Sequence, residues 1–107
     1  MPQIYPLGVP QYGVDPTNGK LIELPGLQLS AATLGELLLE LEKATGAWVV
    51  PDTESPKYFR YYANRKATEW EVVDIHVLRR DEEVCLKQDL GFPLLPHDRV
   101  VPGPLAC

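Results

Sequence analysis

Thr33-Leu34-Gly35-Glu36-Leu37-Leu38-Leu39-Glu40-Leu41-Glu42-Lys43-Ala44-Thr45-Gly46 is the stretch on which the fold turns. Thr33 and Glu36 stand at capping-box spacing: the threonine hydroxyl can take the Glu36 amide while the glutamate reaches back, and Gly46 stops the helix at its other end. With a period of about 3.6 residues, Leu34, Leu37, Leu38, Leu41 and Ala44 fall on one stripe, and Glu36, Glu40 and Lys43 fall on the other side. The spacing predicts an amphipathic helix over Leu34 to Thr45. Gly35 costs such a helix up to ~1 kcal/mol, which the burial of its leucines, at ~1.5 to 3 kcal/mol each, outweighs. Leu39 lies off the stripe, so it is either covered by a loop or part of a docking surface.

The flanks of this helix read as strands. Tyr12-Gly13-Val14 and Lys20-Leu21-Ile22-Glu23-Leu24 enclose Asp15-Pro16-Thr17-Asn18-Gly19, in which Pro16 fixes φ and Asn18-Gly19 tolerates positive φ, a hairpin signature. Beyond the helix, Trp48-Val49-Val50 is short and Pro-terminated, and Lys57 to Tyr62 is a further candidate strand. Trp70 to Leu78 alternates, with Val73, Ile75 and Val77 on one face and Val72, Asp74, His76 and Leu78 on the other. Glu83 to Lys87 returns from a charged turn, and Arg99 to Val101 makes a last short strand. The expected class is α+β in the order β-β-α-β-β-β.

The chain has 107 residues, 45% of them hydrophobic and 23% charged, with 11 prolines, two cysteines and a formal charge of -5. That is one domain over residues 1–107, able to bury roughly two-thirds of its unfolded surface. Proline stands at about twice its usual frequency and gathers at both ends, which are expected to be stiff and poorly suited to central strands. No apolar run approaches the ~20 residues of a membrane span, and Met1 is followed by Pro2, Gln3 and Ile4 instead of a basic and then apolar leader. A cytoplasmic protein without membrane partners is the expectation. In a reducing compartment Cys85 and Cys107 are expected to be free thiols, with Cys85 a small buried hydrophobe. Neither cysteine nor histidine spacing forms a zinc motif, so no metal or other cofactor is expected.

The helix start Thr33-Leu34-Gly35-Glu36-Leu37-Leu38 is similar to that of the bacterial sulfur carriers, and Leu95-Pro96-His97-Asp98-Arg99-Val100 is similar to their Leu-x-x-Asp-x-Val turn. Asn18-Gly19-Lys20-Leu21-Ile22-Glu23-Leu24 is similar to the first hairpin of ubiquitin. In layout the chain resembles the β-grasp superfamily, with one helix packed on a mixed sheet. The resemblance covers about a fifth of the chain. It implies a bacterial ubiquitin-like modifier whose carboxyl terminus is activated by an adenylating, E1-like enzyme, after trimming by a peptidase where needed, and conjugated to protein targets. The tail Gly103-Pro104-Leu105-Ala106-Cys107 then becomes the reactive, flexible end. It departs from the Gly-Gly ending of the family's modifiers, since Pro104 is rigid and Leu105 bulky. The alternative is a non-covalent β-grasp interaction or assembly module.

For that alternative the sequence offers Lys57-Tyr58-Phe59-Arg60-Tyr61-Tyr62-Ala63-Asn64-Arg65-Lys66, which holds four of the nine aromatic and four of the ten basic residues and no acid. Rings interleaved with cations suit a protein-docking face, with Leu39, Arg60, Tyr61 and Arg65 as the partner-binding candidates. They also suit single-stranded nucleic acid, but the acidic balance of the chain ranks that last. Asp74 and His76 share a strand face, and His97 and Asp98 are adjacent, so acid–base pairs can be drawn. No nucleophile motif, phosphate loop or carboxylate pair accompanies them, and a non-enzyme is expected.

Overall fold

The computed structural model describes residues 1–105. Its helix, α1 (Leu34–Thr45), begins and ends where the capping signals lie. The Glu36 amide donates to the Thr33 hydroxyl at 3.3 Å, and the Glu36 carboxylate accepts from the Ala32 amide at 2.7 Å, one residue further back than a strict capping box. Gly46 closes the helix in the left-handed region at φ 84°, its amide donating to the Glu42 carbonyl. Gly35 is more than a tolerated weakness. A Cβ there would come within 3.1 Å of the Leu90 carbonyl, which instead accepts the Gly35 amide at 2.8 Å.

Among the described residues ten elements make an α+β fold with one helix and a mixed sheet. In chain order the strands are β1 (Gln3–Ile4), β2 (Tyr12–Val14), β3 (Leu21–Glu23), β4 (Leu27–Gln28), β5 (Trp48–Pro51), β6 (Phe59–Tyr62), β7 (Glu71–Arg79), β8 (Glu82–Cys85) and β9 (Arg99–Gly103). The main sheet runs β4-β1-β9-β7-β6-β5, with β8 also on β7. All its pairings are antiparallel except β1 with β9. The long β7 organises it: Glu71 to Val73 pair with β6, and His76 to Leu78 lie between β8 and β9.

The expected hairpin forms, Tyr12 opposite Glu23 and Val14 opposite Leu21, but as a separate ribbon outside the main sheet. The sheet is extended instead by β1 and β4. The proline-rich ends therefore enter its interior, contrary to expectation, and one hydrogen-bond alternation explains how. The Tyr5 amide donates to the Val100 carbonyl, so Val100 and Pro102 turn their backbone toward β1. Because β1 ends at Ile4, the amide that Pro102 lacks has no strand to face there.

The core lies between α1 and the sheet. Leu34, Leu37, Leu38 and Leu41 meet Ile4, Val49, Phe59, Val73, Ile75, Val77 and Val100. Leu39 stays out, 56% exposed against 6% for Leu38. Two expectations fail on β7 and β8. Asp74 and His76, on the face opposite the core, are buried instead of half-exposed. Cys85 is exposed and disulfide-bonded, so it is neither a buried hydrophobe nor a free thiol. The free-thiol expectation followed from a reducing compartment, whereas a disulfide belongs with oxidising ones. Among the described residues no helix is long and apolar enough to cross a membrane.

Gly103 is the last residue of β9, opposite Asp74, and is buried. The stretch beyond the sheet thus starts at Pro104, and only Pro104 and Leu105 of it can be described as exposed; Ala106 and Cys107 lie outside the described residues.

Candidate functional site

Antiparallel register assembles the most distinctive surface. Pairing of β5 with β6 sets Trp48 opposite Tyr62 and Val50 opposite Arg60, and β6 with β7 sets Arg60 opposite Val72. Opposed residues share a face, so Trp48, Tyr62 and Arg60 stand on the side away from Phe59 and Val73, which go into the core. Trp70, one residue before β7, continues the row beside Tyr62.

These side chains stack in sequence. The Arg60 guanidinium lies 4.3 Å from the Trp70 ring centre, Trp70 is 5.5 Å from Tyr62, Tyr62 is 5.0 Å from Trp48, and the Arg65 guanidinium is 5.2 Å from Trp48. Both cations are also paired. Arg60 Nε donates to Asp52 Oδ1 at 2.8 Å and Arg65 Nη2 to Glu42 Oε1 at 2.9 Å, with a second contact from Arg65 Nε to Glu42. The Arg60 hydrogen bond holds the Asp52 carboxyl below its ordinary pKa, and the Arg65 hydrogen bond does the same for Glu42. The stripe is a π-rich surface whose two guanidinium charges are already balanced.

Of the partner-binding candidates, Arg60 and Arg65 are in the stripe. Tyr61 is not: it alternates to the inner side of β6, where its hydroxyl accepts the Leu7 amide at 3.1 Å. Leu39 lies elsewhere, in a groove between α1 and β5. Trp48 and Trp70 lay outside the biased segment and were missed. The signal for Trp48 was present in the short connection between two candidate strands, which an antiparallel pairing folds back upon itself.

The acid–base candidates separate. Asp74 and His76 do meet, with His76 Nε2 2.6 Å from Asp74 Oδ1, and Glu83 of β8 approaches His76 Nδ1 at 2.6 Å. His97 and Asp98 do not form a pair. His97 is exposed, and Asp98 is taken by Arg79 and by the Leu95 amide. Among the described residues no group of His, Cys, Asp and Glu is placed to hold a metal ion.

A residue with no sequence signal shapes this end of the sheet. Gln88, in the left-handed region at φ 52°, points its amide at the carbonyls of Asp52, Ser55 and Tyr58 and so binds the β5–β6 connection. No family model, curated protein or solved structure matches the chain.

Proposed function

We propose that the protein is a non-covalent interaction module that docks a protein partner through the Arg60–Trp70–Tyr62–Trp48–Arg65 stripe. The observation that carries this reading is the stacked row itself, with Trp70 43% exposed. Trp, Tyr and Arg are the residue types that dominate binding energies between proteins. A row already fixed by stacking and by two ion pairs loses little freedom when it is covered. The same ion pairs argue against nucleic acid, because Asp52 and Glu42 occupy the guanidiniums that phosphates need.

The test is affinity capture from the source cells with wild type, Trp70→Ala and Glu54→Ala, after their melting temperatures are matched. A discrete protein held by wild type and Glu54→Ala and lost from Trp70→Ala is the expected result. Salt-sensitive binding of single-stranded oligonucleotides at micromolar concentration overturns it.

The modifier is the second reading. One helix over a mixed sheet in which the first and last strands are parallel neighbours supports a β-grasp topology, and with it a carboxyl terminus activated by an E1-like enzyme. Intact mass after coexpression with an adenylating enzyme and a peptidase tests it: an unchanged full-length mass counts against it, and a trimmed or adducted chain supports it.

A further inference from the structure

We propose a second binding surface, the groove between α1 and the open edge of β5, which takes an extended peptide segment of a partner as an added antiparallel strand, its apolar side chains in the groove and a Lys or Arg at its amino-terminal flank. The groove meets the stripe at Trp48, but the proposal does not rest on the stripe's role.

β5 ends the sheet, and among the described residues it pairs only with β6. The Asp52 amide donates to the Tyr58 carbonyl, which continues the β5–β6 register, so Asp52, Val50 and Trp48 direct their backbone to β6. Val49 and Pro51 therefore direct theirs outward. Val49 offers both an N–H and a C=O, the two bonds of one antiparallel pair, and Pro51 offers a carbonyl alone. Strand addition draws affinity from such main-chain groups and specificity from neighbouring side-chain pockets.

The pocket is present. Leu38, Leu39, Trp48, Val49, Pro51 and Leu90 line a groove of about 280 Å³. That is at the lower limit for a small-molecule site and suited to one or two peptide side chains. Leu39 and Leu90, both exposed, form its outer wall. Gly35 lets the Leu90 segment lie against the first turn of α1, which fixes that wall in place.

Charge selects the occupant. Glu42 and Asp52 beside the groove are bound by Arg65 and Arg60, and Glu40 by Lys43. Glu36 and Asp89, next to Gly35 and Leu90, have no ion-pair partner among the described residues. Against the one cation of the same segment, Lys87, these two carboxylates leave the Gly35–Leu90 end acidic on balance. It is also the Pro51 end of β5, because α1 and β5 run in opposite directions across a tight turn and Gln88 reaches the Asp52 carbonyl. A strand antiparallel to β5 begins at that end, which places the cation at its amino terminus.

The test is a ¹⁵N–¹H NMR titration of the full chain with the acetylated octapeptide Lys-Lys-Thr-Val-Thr-Ile-Thr-Gly. The expected result is shifts at Leu38, Leu39, Val49 and Leu90, with slower amide exchange at Val49. Exchanging the two lysines for glutamates, or the Leu39→Asp variant, is expected to weaken binding about tenfold, the scale of one lost apolar or charged contact. Asp89→Lys is expected to reduce the preference for the lysine peptide, and Trp70→Ala to leave binding unchanged. Absence of binding at millimolar peptide, equal affinity for the glutamate peptide, or shifts confined to Tyr62 and Trp70 overturns the proposal.

Discussion

Arg79 grips Asp98 with two nitrogens, Nε to Oδ1 at 2.9 Å and Nη2 to Oδ2 at 2.7 Å, while the Leu95 amide donates to Oδ2 at 2.8 Å. The carboxylate is 1% exposed, and the pair joins the end of β7 to the turn that leads into β9. Burial pushes the Asp98 pKa up, but the Arg79 and Leu95 hydrogen bonds outweigh it and hold the group below its ordinary 3.8.

An acid limb of stability follows from that direction. A carboxyl whose folded pKa is depressed contributes stability that is complete above its unfolded value, about pH 4, and is lost as pH falls through the folded value. Asp98→Asn leaves Arg79 without its anion and is expected to cost about 3 kcal/mol at neutral pH. Melting temperatures between pH 2 and 7 check this: the gap between wild type and Asp98→Asn should narrow on acidification. A gap that is constant with pH contradicts the assignment.

The face assignment of α1 is tested by two adjacent leucines. Leu38→Ala removes a side chain held between helix and sheet and is expected to cost ~2 to 5 kcal/mol. Leu39→Ala, on an exposed side chain, is expected to cost less than ~1 kcal/mol. Chemical denaturation of both variants decides, and equal losses contradict the assignment.

Those leucines belong to the part of the fold that was legible. Thr33, Gly46 and the leucine stripe gave α1 its bounds because caps and periodicity are local. The alternation of Val73, Ile75 and Val77 marked β7 for the same reason. Gln3–Ile4 and Leu27–Gln28 were not legible, since a two-residue strand has no period and exists only through its neighbours. The stripe was half legible: Arg60, Tyr62 and Arg65 lie in one biased segment, but Trp48 and Trp70 join them through pairing of distant strands. Asp74 and His76 could be seen to share a face, whereas their burial depends on what covers that face.

Gln88→Ala tests a contact of this non-local kind. The side chain supplies donors to carbonyls of the β5–β6 connection, and its loss leaves those acceptors underserved at a cost of ~1 to 3 kcal/mol. Hydrogen exchange should quicken at residues 52–58 before it quickens in β7. Uniform quickening across the sheet contradicts a local clasp.

The last prediction concerns sulfur. Cys85 stands in β8 opposite His76 and is disulfide-bonded. A disulfide stabilises chiefly by limiting the unfolded chain, typically by ~2 to 4 kcal/mol. For a domain of this size that corresponds to a fall in melting temperature of several degrees per kcal/mol. Reduction by dithiothreitol is therefore expected to lower the melting temperature of wild type by about 10 °C, and Cys85→Ser to produce the same fall without reductant. Added reductant should then leave Cys85→Ser unchanged, which separates loss of the bond from a general effect of the thiol. A wild type indifferent to reduction contradicts a stabilising bond and returns the cysteine to the free thiol that the sequence suggested.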